Sequence, residues 1–403
     1  MRALVYHGVG DIRLDNVPEP RIEQPTDAIV RLTASAICGT DLHFVRGTFS
    51  GMRPGTILGH EGVGVVEELG DEVRNLDVGD RVVIASTIAC GNCAYCRAGY
   101  YGQCDQANPA GKRAGTAFFG GPEGAGGFHG LQAEKARVPF ANVGLVKLPD
   151  EVSDEQAIML SDIFPTGYFA ADLAAIHAGS TVAVFGCGPV GQFVIASAKL
   201  LGAGRIIAVD GNEDRLAMAR RQGAEVVSFE REDPVETILT LTGGIGVDRA
   251  IDAVGVDAVH AHHGPAAKRA KKHAREDAGD VQKVAPVHRD EAPFLPGDAP
   301  AQALSWAVEA LAKAGTLVIV GVYPPAMEHF PIGQAMNKNL TIRMGNCNHR
   351  KYIPQLVDLV RSKAVDPVEI LTKVEPLHDV KKAYEAFDAR KPGWLKVALN
   401  PSA

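Results

Sequence analysis

The 403-residue chain is 46% hydrophobic and 22% charged, with a formal net charge of −7. This composition supplies a core and excludes the disordered, collagen-like and low-complexity classes, while the acidic balance argues against a general nucleic-acid or anionic-membrane binder. No apolar run reaches the ~18–20 residues of a membrane span, and Met1-Arg2-Ala3-Leu4-Val5-Tyr6-His7 passes into a strand pattern without a signal-peptide core, so a cytoplasmic enzyme is expected.

Residues 1–150 read as short strands punctuated by Gly and Pro, with Ala28–Leu32, Gly62–Leu69 and Arg81–Ala85 rich in β-branched residues. The pattern changes at Ser153-Asp154-Glu155-Gln156, a capping box that opens a helix. From Thr181 strands and helices alternate: strand Thr181–Phe185, helix Val190–Leu201, strand Arg205–Val209, a helix from Asn212 to Gly223, strands Glu225–Phe229 and Arg249–Val254, helix Ser305–Ala314 and strand Leu317–Val322. That alternation predicts an α/β fold with a doubly wound parallel sheet. Val256–Pro300 breaks the rhythm; its charged, Pro- and His-rich composition reads as an irregular, solvated insertion, with the His260/His262/His263 cluster as a metal-binding alternative. Helices Lys351–Ser362 and Asp379–Ala389 and a strand near Leu395–Leu399 close the chain.

The cysteines carry the first chemical signal. Cys90, Cys93, Cys96 and Cys104 are spaced C-x2-C-x2-C-x7-C, which suits four thiolates around a closed, structural Zn²⁺ in a lobe spanning about 88–106. Gly186-Cys187-Gly188-Pro189-Val190-Gly191 is a dinucleotide fingerprint between a strand and a helix: Gly186 makes the turn, Gly188 admits the pyrophosphate, Gly191 allows close helix contact, and amides around Pro189 and Val190 face the phosphates. Asp210, at the end of the second strand, is placed to accept the ribose hydroxyls and to favour NAD over NADP, with Arg215 opposing that only slightly.

Cys38 in Cys38-Gly39-Thr40-Asp41-Leu42-His43 and His60 in Gly59-His60-Glu61-Gly62-Val63-Gly64, with Gly70 and Val73 completing a G-H-E-x2-G-x5-G-x2-V pattern, resemble the medium-chain zinc-dependent alcohol dehydrogenases. The resemblance implies a GroES-like β-rich catalytic domain (1–162), a Rossmann domain (163–345, with the insertion 256–300) and a C-terminal return (346–403). It implies Cys38, His60 and Asp162 as catalytic zinc ligands, so two Zn²⁺ per chain. Asp162, where many members have Cys, resembles the glutathione-independent formaldehyde dehydrogenase branch. By family position the metal stabilises an alkoxide, Thr40 takes its proton and His43 delivers it at the surface, while Glu61 supports or transiently ligates the metal. Thr166, Val322 and Tyr323 would line the nicotinamide site and Lys396 would reach the pyrophosphate. The activity implied is hydride transfer between an alcohol, or an aldehyde hydrate, and NAD in a homotetramer or dimer. Aldehyde dismutation with tightly held NAD, polyol or secondary-alcohol oxidation, and a zinc-binding scaffold with an inactive Rossmann domain are the alternatives.

Overall fold

The computed structural model describes residues 1–288 and 293–402 and divides into two compact units. The first contains Met1–Pro165, the chain from Asn346 onward and a short stretch carrying Phe294. Its main sheet runs Lys373–Pro376, Val397–Asn400, Ala28–Ile37, Gly62–Leu69, Arg81–Ile84, Leu145–Lys147, with Lys135–Val138 also pairing with Ala28–Ile37. A smaller sheet orders Asp11–Asn16, Arg2–Gly8 and Thr56–Ile57. The C-terminal strand pairs antiparallel with Ala28–Ile37, which brings Lys396 beside the residues that follow Ile37. Phe294 is buried in this unit with Leu4, Phe44, Leu58 and Tyr384.

The second unit contains Thr166–His288 and Leu295–Gly345. Its six strands are all parallel in the order Glu225–Ser228, Arg205–Asp210, Thr181–Phe185, Val247–Asp252, Leu311–Ile319, Thr341–Met344. Thr181–Phe185 shows why such strands lack an alternating pattern: Ala183 and Phe185 enter one core cluster while Val182 and Val184 enter the other, so both faces are apolar. The strand order reverses between Thr181–Phe185 and Val247–Asp252, the place where open α/β sheets bind ligands at the carboxyl ends of their strands.

Two expectations are corrected here. Val256–Pro300 is not irregular throughout, because Gly264–Val284 forms a 21-residue helix with Pro265 in its first turn. Its inner face starts with buried Ala266 and Ala267 and ends with Val284, but Asp277 and Asp280 fill the middle, lying 3.4 Å from His260 and 3.3 Å from His329. A helical stripe completed by buried carboxylates does not read as apolar periodicity. The helix expected over Ser305–Ala314 spans Gln302–Ala310, and the next strand begins at Leu311. Lys338 explains the earlier stop: its ammonium donates to the carbonyls of Val308, Glu309 and Leu311 and so satisfies the helix end.

Candidate metal and nucleotide sites

Three turns of the first unit converge on one buried pocket. Cys38 is the N-cap of helix Gly39–Arg46, His60 precedes strand Gly62–Leu69, and Asp162 ends helix Asp154–Ser161, whose Ser153–Gln156 capping box forms as expected. Donor atoms of Cys38, His60, Glu61 and Asp162 lie within 4.8 Å of one another. Asp162 Oδ2 is 3.5 Å from Cys38 Sγ and 3.1 Å from His60 Nε2. Gly59 adopts φ +89°, and a Cβ there would meet the Gln132 side chain at 2.4 Å, so glycine is required for this approach.

Buried charges govern the pocket. Burial and the neighbouring Asp162 carboxylate push the Cys38 thiol up. Burial alone would raise Asp162, yet hydrogen bonds from His349 and His60 hold it well below the usual range. Burial opposes charge on His60, but Asp41, then Cys38 and Asp162, keep it well above its ordinary value. Glu61 is raised by burial despite Lys396, and one of its oxygens, Oε1, has no hydrogen-bond partner. A sulfur, an imidazole nitrogen and carboxylate oxygens crowded together out of water fit a divalent cation, and the donor mixture suits Zn²⁺.

The supporting residues were partly missed by sequence reasoning. Asp41 Oδ1 lies 3.0 Å from His60 Nδ1, and its Oδ2 accepts from Cys38 N at 3.0 Å and Gln132 Nε2 at 3.2 Å. Tyr384 in turn donates to Gln132 Oε1 at 2.8 Å. His349 Nε2 lies 2.7 Å from Asp162 Oδ1. The available signals were Asp41 one turn into a helix opened by Cys38, and the polar run Asn346-Cys347-Asn348-His349 opening another. Two expected roles need correction. Lys396 is fully buried, bonded to Glu61 and donating to Ile37 O at 3.0 Å, so its ammonium serves Glu61 instead of presenting an open charge to a pyrophosphate. His43 is 3% exposed and packs edge-on against Phe49, so its ring is enclosed and not open to solvent. Thr40, half-buried, precedes it by one helical turn.

Cys90, Cys93, Cys96 and Cys104 also gather within 4.8 Å, and all are free thiols. Backbone amides point at the sulfurs: Cys90 N to Cys104 Sγ at 3.3 Å, Asn92 N to Cys90 Sγ at 3.3 Å, and Ala107 N to Cys104 Sγ at 3.4 Å. Burial works against the Cys93 thiolate, but amides of Cys96 and Asp105 bring its pKa down to about 7, whereas burial pushes Cys96 up. Amides trained on four clustered sulfurs favour thiolates and therefore a structural Zn²⁺.

In the second unit the glycine-rich turn follows strand Thr181–Phe185. Gly186 has φ +88°, and a Cβ on Gly191 would fall 1.9 Å from Gly186 O, so the helix Pro189–Leu200 packs directly on the turn. Around Gly188 a Cβ would meet nothing nearer than Arg215 Nη1 at 3.9 Å, which leaves a cradle at the N-terminus of a helix with Pro189 and Val190 in its first turn. Asp210 accepts from Cys187 N and Asn212 N, each at 2.8 Å, with Arg215 3.7 Å away. Val322 bridges to Gly255, while Tyr323 donates to buried Asp252 at 2.7 Å. Thr166 is half-buried in helix Ile163–Leu173.

The models of the alcohol dehydrogenase GroES-like domain and of zinc-binding dehydrogenases match residues 24–150 and 189–263. A zinc-type alcohol dehydrogenase-like protein of Bacillus subtilis is 37% identical over the full length of both chains. A glutathione-independent formaldehyde dehydrogenase of Pseudomonas aeruginosa is 36% identical over 99% of this chain and 97% of its own. The solved structure of an alcohol dehydrogenase from Thermus sp. ATN1 superposes with a TM-score of 0.81 at 34% identity, covering 99% of each chain.

Proposed function

The chain belongs to the zinc-type alcohol dehydrogenase family, whose members are zinc-dependent oxidoreductases, and we propose that it oxidises a short primary alcohol or aldehyde hydrate with NAD. The observation that carries this reading is the buried convergence of Cys38, His60, Glu61 and Asp162. In it, Cys38, His60 and Asp162 hold the catalytic zinc, and Cys90, Cys93, Cys96 and Cys104 hold a structural one. The first unit is the catalytic domain and the second binds the nucleotide. Zinc supplies the Lewis acidity that brings a hydroxyl's ionisation toward neutral pH, and NAD supplies the hydride acceptor.

The chain's own residues do the rest. Asp41 fixes the His60 ring so that Nε2 faces the pocket. Thr40 Oγ1 takes the substrate proton and the enclosed imidazole of His43, one turn along the same helix, would hold it as imidazolium. Phe118 stands edge-on to His60 at 6.4 Å and stacks on Phe44 at 5.9 Å, an apolar wall that suits small substrates. The relative named for formaldehyde without glutathione supports the same size class. The Gly188 cradle receives the pyrophosphate, and Asp210 beside it disfavours a 2′-phosphate. A cytoplasmic location suits four clustered thiols that form no disulfide, and a homotetramer, the assembly the family resemblance implies, completes the reading.

NADH absorbance with a panel of short alcohols and aldehydes, with and without glutathione, tests it. Turnover of small aldehydes or primary alcohols without glutathione is expected, together with two bound zinc ions per chain. Asp162→Ala or Cys38→Ser is expected to lose one zinc and to fall in activity by more than about a hundredfold. Unchanged turnover in Asp162→Ala overturns the assignment.

A further inference from the structure

A carboxylate ligand raises a problem that a thiolate does not: it has two equivalent oxygens on a rotatable bond, and only one is to face the metal. In this molecule they are divided. Asp162 Oδ2 turns toward Cys38 and His60, whereas Oδ1 accepts from His349 Nε2 at 2.7 Å. His349 is 3% exposed, and its Nδ1 lies 3.1 Å from Thr87 Oγ1, a hydroxyl able to donate or accept as the ring demands. Neither contact belongs to the helix that ends at Asp162, so the carboxylate is oriented from outside its own element.

The residues that hold His349 flank the four-cysteine loop. Thr87 lies three positions before Cys90, and Gly102 two before Cys104. Gly102 N donates to Asn348 Oδ1 at 2.9 Å, and a Cβ on Gly102 would come within 3.3 Å of the carbonyl oxygens of Asn346 and Cys347. Thr116 Oγ1 donates to Gly102 O at 2.8 Å and accepts from Asn346 Nδ2 at 2.7 Å. The segment bearing His349 is therefore clamped to the cysteine lobe, and His349 is clamped to Asp162.

We propose that His349 is the positioning residue that fixes Asp162 for metal binding, and that the four-cysteine lobe holds His349 in place. The proposal rests on the reading of Asp162 as a metal ligand. It gives the lobe a role beyond local folding: through Asn348 and His349 it stiffens one ligand of the other metal centre.

The test uses zinc-loaded protein and a chromogenic chelator that reports the release of each zinc ion, together with the absorption spectrum of protein in which Co²⁺ replaces the catalytic zinc. His349→Ala is expected to release one of the two metals about 10- to 100-fold faster and to leave the other unchanged, with an altered cobalt spectrum. His349→Gln, which can still donate to Oδ1, is expected to recover much of the loss. Asn348→Ala, which leaves His349 in place but cuts its tether, is expected to speed release of the same metal by a smaller factor, and it decides the matter if His349→Ala does not fold. Wild-type release rates and spectrum in both His349→Ala and Asn348→Ala overturn the proposal. Asp162→Ala separates the two readings. If that variant keeps both metals and the parent spectrum, the ligand assignment itself has failed; if it loses one metal while the other variants behave as wild type, only the positioning role has.

Discussion

Lys396 and Glu61 form an ion pair with both side chains fully buried. Removing one partner of such a pair strands the other charge away from water, which costs about 3–5 kcal/mol. Lys396→Met is expected to lower unfolding stability by about that amount, and Glu61→Gln in the same chain to restore much of it. Denaturant unfolding of the single and double variants checks this, and a Lys396→Met chain as stable as the parent contradicts it. A second residue-scale effect concerns pH. Arg2 bonds both through its guanidinium and its backbone amide to Glu134 and holds that carboxyl below its ordinary value of 4.5. The folded state favours the ionised form, so this stabilisation is complete above pH 4.5 and fades as pH falls through the lowered folded value. Glu134→Gln is therefore expected to show a shallower acid loss of stability than the parent, measured as thermal midpoint against pH. At this scale the four clustered cysteines were legible from their spacing, while Cys38 and His60 stood out through the family resemblance of the segments around them. Asp41, Gln132 and His349 were not legible, because their roles depend on partners 19 to 187 positions away, or on the fold of two other turns.

Among the elements, the strands and helices from Thr181 to Ser228 match their expected spans closely, since each carries its own start, stop and apolar run, whereas helix Pro234–Leu241 and strand Thr341–Met344 were not anticipated. The helix Gly264–Val284 was missed because charge dominates its composition and two of its inward positions are aspartates. Its packing nevertheless depends on a few alanines: Ala266 is 1% exposed within the core cluster that holds Trp306 and Leu304. Ala266→Glu forces an unpaired charge and extra volume into that contact and is expected to destabilise the protein by about 1–3 kcal/mol or more. Lys271→Glu, on the exposed face of the same helix, is expected to stay within about 0.5 kcal/mol of the parent. Calorimetry of the two variants distinguishes a packed helix from a solvated appendage, and equal stabilities contradict the packing argument.

At the scale of the whole molecule, no helix among the described residues is long and apolar enough to cross a membrane. NAD that binds the native state alone is expected to add about 2.7 kcal/mol at a hundredfold excess over its dissociation constant, seen as a raised thermal midpoint. Asp210→Ala is expected to shrink that gain for NAD and enlarge it for NADP, because a carboxylate no longer opposes the 2′-phosphate; an unchanged ratio contradicts the role given to Asp210. The amino-acid order alone carried the resemblance to the family, the order of strands and helices around the glycine-rich turn, and the clustering of Cys90, Cys93, Cys96 and Cys104, because those features are encoded by short spacings and local periodicities. Only the tertiary structure decided that Lys396 serves Glu61, that His43 is enclosed, that a charged insertion makes a packed helix, and that Asp162 is held through His349 against the cysteine lobe. Burial and hydrogen-bond partnership are properties of segments distant in the chain, and they exist only once those segments meet.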